Sequence, residues 1–344
     1  MTAPPGNLAN RPAAHADSLG SPQRHVSPPA LEDAALRLDA DSQSDDLLSE
    51  LLRSVRLSGE RIAAYAPPRT FSIGFADFGS LHIIEEGELE LRVDGDPHFE
   101  HVRRGDVVLL PRGDSHHLSN AGERTQAIAH AGATENATPE PARWLCGTFN
   151  IGAPQASHLF GSLPSVIILG GAGTPAPEGL EVARRMLVIE MQSPSQGSAV
   201  MISRILDLMF IQIMRTWASG KDAEPTWLTG AFDPELGRSL SAIHRDPGHD
   251  WTVEELARVS NLSRSAFAAR FAARVGTPPA TYLAHVRLDA ATDLLRDTSL
   301  SIPLIAERVG YTSEAAFSRA FKNRYSTPPA RWRRDIRRPA RTAG

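Results

Sequence analysis

The stretch FAARFAARVGTPPATYL, residues 267–283, returns fifty residues later as FSRAFKNRYSTPPARWR, residues 317–333. Both copies carry two phenylalanines four positions apart, followed by a Thr-Pro-Pro-Ala segment. Side chains four positions apart lie on the same face of a helix. A pattern that repeats in register therefore predicts that this part of the chain holds two copies of one helical unit.

Each copy predicts a helix, a short turn and a second helix. In the first copy, Thr252 begins one helix and Ser263 begins the next, with residues 260–262 as the turn. In the second copy, Ser301 begins a helix and residues 310–312 form the turn. A helix, a tight turn and a second helix make the helix-turn-helix pattern, which many DNA-binding proteins use.

A single helix is predicted between the two copies, over residues 281–297, with Leu283, Val286, Ala290 and Leu294 on one stripe. It would hold the second helix of each unit on one rigid body. A helix fits the major groove, whose accessible faces recur about 34 Å apart along the duplex. One chain could therefore read two successive segments of the major groove.

Charge is distributed unevenly along the chain. The net charge is −4, yet residues 231–344 hold 18 Arg and Lys against 12 Asp and Glu, whereas residues 1–230 hold 18 against 28. A basic C-terminal third on an acidic body favours an anionic partner for that third. Together with the repeat, this charge predicts double-stranded DNA as the partner.

Residues 232–335 resemble the DNA-binding region of the AraC/XylS family of transcription regulators, and the second copy is similar to the family signature. Ser326 stands where the family usually has glycine. The resemblance implies that exposed positions on the second helix of each unit contact DNA, and the arginines that follow are expected to reach phosphates. The expected contacts are Arg264, Ser265, Ala268, Ala269, Glu314, Ala315, Ser318, Arg319, Lys322, Arg331, Arg333 and Arg334, with Arg337 and Arg338 as further phosphate contacts.

The N-terminal part changes from helical to alternating periodicity. Residues 87–95 alternate apolar and charged side chains before an Asp-Gly turn, and residues 105–113 hold a short apolar strand between turn residues. Residues 45–55, 180–191 and 198–218 are predicted helices. The fold class is therefore α+β with two domains: an N-terminal β-barrel or sandwich with accessory helices, and an all-α C-terminal domain with two helix-turn-helix units.

Two N-terminal segments, residues 81–95 and 105–120, resemble a cupin barrel, which many AraC-type regulators carry as an effector sensor. The resemblance implies an effector pocket that includes His82, Glu86, His116 and His117. Because Ile84 stands where a metal-binding cupin has a second histidine, we expect no metal cofactor. Cys146 has two open interpretations, a buried apolar residue or a redox sensor.

The predicted domain order is a disordered tail (1–43), a cupin-like sensor with a helical extension (44–220), a linker (221–231), a double helix-turn-helix domain (232–336) and a basic tail (337–344). The predicted function is a sequence-specific transcription regulator that is not an enzyme; the alternative is a cupin metalloenzyme, a dioxygenase or isomerase, fused to a helical domain. A single cysteine and no visible signal peptide predict the cytoplasm. RNA polymerase, a small effector and a second copy are candidate partners, and no membrane is expected.

Overall fold

The structure is a computed structural model of the 344-residue chain. It describes residues 46–49, 52, 57–67, 70–76, 78–120, 141–151, 160–170, 177–220 and 223–337. The predicted disordered tail and most of the predicted basic tail, including Arg338, lie outside the described residues. Of the predicted helix at 45–55, residues 47–49 and 52 are helical, and Leu47 and Leu48 are buried.

The described residues of the N-terminal part form nine antiparallel strands. They are β1 (Leu57–Tyr65), β2 (Ser72–Phe75), β3 (Gly79–Glu86), β4 (Glu88–Val93), β5 (Phe99–Arg103), β6 (Val107–Leu110), β7 (His116–Ser119), β8 (Arg143–Ile151) and β9 (Ile167–Leu169). One sheet has the order β1-β8-β3-β6-β9, and the other has the order β2-β7-β4-β5. The predicted antiparallel β domain is confirmed, but its described strands form two sheets and do not close into a barrel.

The central strands β8, β3 and β6 of the five-stranded sheet are buried on both faces. Along β3 the side chains alternate, so that Leu81 and Ile83 join a core with the helices that follow, whereas Ile84 joins the core between the two sheets. That second core contains apolar residues from β3 to β8 and includes Trp144 and Cys146. The near-continuous apolar character of these strands follows from burial on both faces.

Two long helices cover the outer face of this sheet. Helix α1 (Glu178–Gln192) and helix α2 (Ser198–Ala218) match the two helices predicted from periodicity. Leu206 of α2 packs so closely on the sheet that a Cβ atom at Gly59 or Gly147 would lie 2.6 or 2.7 Å from its side chain. Glycine at these two positions therefore allows α2 to dock directly on β1 and β8.

The C-terminal part is helical throughout its described length. Its elements are α3 (Trp227–Ala231), α4 (Gly237–Arg245), α5 (Val253–Val259), α6 (Arg264–Val275), α7 (Pro279–Asp297), α8 (Ile302–Arg308), α9 (Glu314–Tyr325) and α10 (Pro329–Arg337). The interval expected to be a linker contains α3, whose Trp227 and Leu228 are buried. Thr229 of α3 donates a hydrogen bond to the carbonyl of Arg274 in α6 (2.7 Å). The C-terminal end of residues 221–231 is thus a helix that packs against α6.

The buried side chains of the C-terminal helices belong to two separate hydrophobic cores. Phe267 and Phe271 of α6 belong to one continuous cluster that extends from the five-stranded sheet through α1–α6 to the first half of α7. Phe317 and Phe321 of α9 belong to a separate cluster with the second half of α7 and with α8. The two units pack on different sides of α7, so its buried residues cover more of the helix surface than the predicted stripe. Within that stripe, Ala290 and Leu294 are half-buried.

None of the described helices is long and apolar enough to cross a bilayer. Helix α2 has the necessary length, but it contains Arg204, Asp207 and Arg215.

Candidate nucleic-acid interface and sensor interior

The two helix-turn-helix units have the same local construction. The hydroxyl of Ser263 accepts a hydrogen bond from the Ala266 amide (3.3 Å) at the start of α6, and Ser313 does the same for Ala316 (3.2 Å) at the start of α9. Helix α6 ends at Gly276, with a φ of 82°. Fifty residues later, Ser326 takes up the same left-handed conformation with a φ of 58°. Serine thus occupies the position where the family usually has glycine, at a modest cost in strain.

Helices α6 and α9 bury their phenylalanines and expose the opposite face. Arg264, Ser265 and Ala269 are exposed on α6, and Ala268 is half-buried. On α9 the exposed positions are Glu314, Ala315, Arg319 and Lys322, and Ser318 is half-buried. These nine positions are therefore accessible, and their contact with DNA stays a prediction.

The arginines of α10 are in different environments. Arg334 is exposed, and Arg331 is exposed beside Asp335 (3.7 Å). Arg333 is half-buried, and its Nε and Nη2 atoms are buried without a hydrogen-bond partner in the part of the chain that is described. Burial, followed by the nearby charge of Arg337, lowers the pKa of Arg333. We therefore expect Arg331 and Arg334 to contact phosphates more readily than Arg333.

The interior of the β domain brings together two of the four residues expected to form an effector pocket. His82 and His116 are fully buried, and their Nε2 atoms lie 2.7 Å apart. His116 donates a hydrogen bond through Nδ1 to the carbonyl of Asp114 (2.9 Å), so its Nε2 accepts a hydrogen bond from Nε2 of His82. The remaining nitrogen of His82, Nδ1, is buried and has no partner within the described segments.

Glu86 and His117, the other two residues expected in the pocket, lie outside this interior. The pairing of β3 with β8 shifts register between Ile84 and Glu86, so Glu86 leaves the alternation that His82 begins and lies exposed near Arg143 (3.8 Å). His117 follows His116 on β7 and is exposed on the opposite face, where its Nδ1 lies 3.2 Å from Asp94. The pocket proposed from sequence is therefore reduced to a pair of histidines.

This histidine pair does not fit a metal ion. The separation of 2.7 Å is that of a hydrogen bond, and Phe75 stacks on His116 and contacts His82 by its edge. Among the residues placed by the structure, no group of three or more His, Cys, Asp or Glu side chains could hold one. Cys146 is buried nearby in the same core, where burial raises the pKa of its thiol to about 12. A thiol with that pKa is protonated and a poor nucleophile at neutral pH.

Comparison with known proteins decides the family. Residues 46–219 match a family model described as cupin, and residues 256–335 match one described as a helix-turn-helix domain. The chain is 32% identical over 239 residues to a protein of Streptomyces antibioticus that is named an AraC-like transcription regulator, covering 67% of this chain and 78% of that one. It is 33% identical over 227 residues to the HTH-type transcriptional regulator AlkR of Acinetobacter baylyi, covering 60% and 72%.

The chain belongs to the AraC family of DNA-binding transcription regulators. Its N-terminal part is the cupin-like domain of such a regulator. Among solved structures, an AraC-type DNA-binding domain protein from Chromobacterium violaceum is 27% identical, covering 31% of this chain and 96% of that one with a TM-score of 0.30.

Two carboxylates that sequence reasoning missed hold the second helix of each helix-turn-helix unit, α6 and α9 (called the recognition helices below), in place in this AraC-family chain. Asp233, of which 3% is exposed, accepts from Nε of Arg270 at 3.0 Å and lies 3.4 Å from Arg274. In the second unit, Asp289 of α7 accepts from Arg324 (2.9 Å) and from the hydroxyl of Tyr325. Each interaction ties the end of a recognition helix to a preceding element.

The sequence repeat indicates the arginines of these ion pairs. Arg274 and Arg324 are separated by the same 50 positions as the phenylalanines, so both units place an arginine in the last turn of the recognition helix. The carboxylates do not follow that spacing, because Asp233 precedes α4 whereas Asp289 lies within α7. The sequence therefore showed one half of each ion pair and gave no indication of the other.

The expectation that Arg337 reaches DNA phosphates conflicts with its contacts. Its Nη2 atom donates to the carbonyls of Leu295 (3.3 Å), Arg296 (3.4 Å) and Thr298, where α7 ends. A cation at this position satisfies carbonyl groups that the helix leaves unpaired, and it interacts favourably with the helix dipole.

We therefore expect Arg337→Ala to reduce stability by about 1 kcal/mol, which is typical of such a capping interaction. Chemical denaturation measures this loss. The dependence of DNA affinity on salt should stay as in the unaltered chain. A smaller salt dependence with unchanged stability would instead show that Arg337 binds phosphate.

A second prediction concerns acid stability. Burial lowers the pKa of His244 on α4 to about 4, and its Nε2 atom lies 2.7 Å from the Tyr282 hydroxyl. In the unfolded chain the pKa is about 6.5, so between these values the unfolded state binds a proton that the folded state does not. Stability contributed by neutral His244 is thus complete above pH 6.5 and is lost as the pH falls toward 4.

Lowering the pH from 7 to 5 should cost about 2 kcal/mol through this residue alone. In His244→Gln the amide can still pair with Tyr282 but does not titrate, so this part of the loss should disappear. Denaturant titrations of both proteins at pH 7 and 5 provide the measurement. His82 and His116 also have lowered pKa values and act in the same direction in both proteins. Equal acid losses in the two proteins would contradict the assignment.

Proposed function

We propose that this AraC-family chain recognises DNA through the exposed faces of α6 and α9 and that its cupin-like domain makes this binding responsive to a small effector. The observation that carries the proposal is the duplicated unit, which presents two accessible helices opposite their buried phenylalanines. The proposed contacts are the nine positions on α6 and α9, with Arg331 and Arg334 on phosphates. The site of action is the cytoplasm, and RNA polymerase stays a predicted partner.

Arg319→Ala tests sequence reading. Arg319 is exposed on α9, two positions from each buried phenylalanine and therefore about 200° around the helix from both. A bidentate contact between arginine and guanine contributes about 1–3 kcal/mol of base discrimination. Arg319→Ala should therefore relax the preference at one or two base pairs, as measured by selection from a randomised DNA library.

Arg334→Ala is the matched control. Arg334 is exposed on α10, outside the recognition helices, so its loss should weaken binding to all sequences alike and lower the salt slope by about one. An unchanged base preference in Arg319→Ala would assign that arginine to phosphate. If the unaltered chain selects no sequence at all, the proposed function itself fails.

We further propose that the chain is not an enzyme. Three features support this: the hydrogen-bonding distance within the histidine pair, the ring of Phe75 packed against both histidines, and the departure of Glu86 from the interior. Elemental analysis of the purified chain tests the rival cupin metalloenzyme. Stoichiometric iron or manganese that is lost in both His82→Ala and His116→Ala would favour that rival.

A second copy of this chain is a proposed partner of α1 and α2. Six large apolar side chains are exposed on these helices, Ile189 to 65% and Val200 to 64%. The others are Val182, Met186, Met201 and Leu208. Exposed apolar side chains concentrated on one helix pair are typical of protein interfaces. Sedimentation of the unaltered chain and of Ile189→Glu/Met201→Glu tests this, with dimer dissociation expected in the variant; a chain that sediments as a monomer without the substitutions would contradict it.

A further inference from the structure

The two helix-turn-helix units touch each other directly beside α7. Their hydrophobic cores are separate, and α7 contributes to both. Packing against one shared helix leaves room for the small sliding shifts that packed helices allow. The loop that joins α4 to α5 in the first unit (residues 246–252), however, meets the end of α8 and the turn that follows it in the second unit. That turn leads into recognition helix α9.

Backbone lies against backbone at this contact. A Cβ atom at Gly248 would overlap the carbonyl oxygen of Arg308, and one at Gly310 would lie 2.8 Å from the carbonyl oxygen of Gly248. A side chain at either position would therefore push the two units apart. Glycine, which has no Cβ atom, permits this approach.

Arg287 of α7 completes the contact. Its Nε atom donates to the carbonyl of Pro247 (2.8 Å), and its Nη2 atom donates to the carbonyl of His249 (2.7 Å). A Cβ atom at Gly310 would lie 2.7 Å from the same Nη2 atom. One guanidinium group therefore ties α7 to the loop of the first unit and lies directly against the turn of the second. Gly248, Arg287 and Gly310 are called the inter-unit junction below.

The loop that presents Gly248 is itself held by local contacts. Nε1 of Trp251 donates to the carbonyl of Asp246 (2.8 Å), and the His249 amide donates to the Asp246 carboxylate (3.2 Å). The rings of His249 and Trp251 lie 4.3 Å apart. The first unit therefore offers the second a braced surface, and a shift of the second unit would disturb these contacts.

The first unit shows that its turn does not require glycine. Asn261 and Gly310 occupy the same place in their turns, with φ values of 55° and 81°. In each unit the next amide donates to an alanine carbonyl of the preceding helix, at 2.9 Å (Leu262 to Ala257) and 2.8 Å (Tyr311 to Ala306). Asparagine adopts this left-handed conformation with little strain, and Asn261 is exposed. The close approach at the junction therefore explains why position 310 is glycine.

We propose that the inter-unit junction fixes the distance and the angle between α6 and α9, so that this chain accepts only one spacing between the two DNA segments that these helices contact. One added base pair moves the second segment by about 3.4 Å along the duplex and about 34° around it. A rigid pair of helices cannot follow both changes. The three junction residues are positioning residues, because they act through the placement of α9. The DNA part of this inference rests on the proposed function, whereas the fixed placement of the helices does not.

The placement of the helices is measured on the full chain without DNA. Ala273 on α6 and Asn323 on α9 are exposed, lie fifty positions apart and are outside the proposed DNA contacts. Ala273→Cys/Asn323→Cys accepts two spin labels, since Cys146 is buried. The label-to-label distance distribution from pulsed electron spin resonance should be narrow, and it should broaden when Gly310→Asn is added. Asn261→Gly, which alters the equivalent turn residue of the first unit, is the matched control and should leave the distribution narrow.

DNA binding tests the consequence for recognition. The DNA is the site that the unaltered chain selects from a randomised library, with or without one base pair inserted between the two contacted segments. The insertion should weaken binding about ten-fold or more in the unaltered chain and in Asn261→Gly, because one helix loses its base pairs, but about three-fold or less in Gly310→Asn. Arg287→Gln removes the hydrogen bonds to the loop and adds no atom to the turn. It should behave like Gly310→Asn, and it keeps the test decisive if that variant misfolds.

The two measurements separate the possible failures. A distance distribution that stays narrow in both junction variants would overturn the proposal. So would a distribution that broadens while the insertion penalty keeps its unaltered value. A chain that selects no DNA sequence, yet shows the narrow distribution and its broadening in the variants, would contradict the proposed function and leave the fixed placement of the helices supported.

Discussion

A fragment that begins at residue 223 is expected to fold and bind DNA, whereas one that begins at residue 232 is expected to be largely unfolded. The sequence alone placed the domain boundary at 232, which removes α3. Trp227 and Leu228 of that helix are 5% and 0% exposed. Full burial of one large apolar side chain contributes about 1.5–3 kcal/mol, so removing both costs roughly 3–6 kcal/mol. That is much of the stability of a small domain.

Removing α3 also removes a hydrogen bond and a close packing contact. Without α3, the carbonyl of Arg274 loses the hydroxyl of Thr229, and Val275 loses the close contact with Gly230, where a Cβ atom would lie 2.5 Å away. Thermal unfolding followed by circular dichroism compares fragments 223–344 and 232–344 directly. Equal melting temperatures would show that α3 contributes nothing to the fold of the first unit.

The second large effect concerns two phenylalanines that occupy equivalent positions in the repeat. Phe271 and Phe321 are both fully buried, and replacing a buried phenylalanine by alanine costs about 3–5 kcal/mol. Phe321 belongs to the separate core of the second unit, so Phe321→Ala should unfold that unit alone, in an early transition. Phe271 belongs to the core that extends into the five-stranded sheet, so Phe271→Ala should lower the main transition.

Calorimetry combined with hydrogen exchange distinguishes these outcomes. In Phe321→Ala, amides of α8 and α9 should lose protection while those of β3 and β8 keep it. In Phe271→Ala, the loss should extend to α2 and the sheet. The two variants serve as controls for each other, since the chemical change is identical. A single uniform transition in both would mean that the chain unfolds as one unit.

The two helix-turn-helix units were the part of the fold that the sequence predicted best, because the patterns that indicate them involve residues close together in the chain. Caps such as Ser263 and Ser313, and phenylalanines four positions apart, act within one or two helical turns. Helices α1 and α2 were predicted correctly for the same reason, since their apolar periodicity is also a short-range pattern. Helix α3 has only five residues, which is too short to show a period of 3.6, so the sequence pattern predicts a linker there.

The candidate effector site was harder to predict, because it depends on contacts between distant residues. The resemblance to a cupin barrel implied that Glu86 shares a pocket with His82, but the register shift that turns Glu86 away is set by pairing with β8. The anchors of the recognition helices join residues 37 and 35 positions apart. Periodicity and composition carry no information about such pairings.

Helix α7 joins two recognition helices that are not alike. One presents Ala268 and Ala269 toward solvent, and the other presents Ser318 and Arg319. A DNA site contacted by both helices as proposed therefore has no two-fold symmetry, although the protein segment carries a sequence repeat. With the proposed contacts it has a polarity: one end faces Arg264, Ser265 and the two alanines of α6, and the other faces Arg319 and Lys322 of α9. Inverting such a site within a promoter would turn the bound chain end for end, so that its cupin-like domain faces away from the gene it faced before.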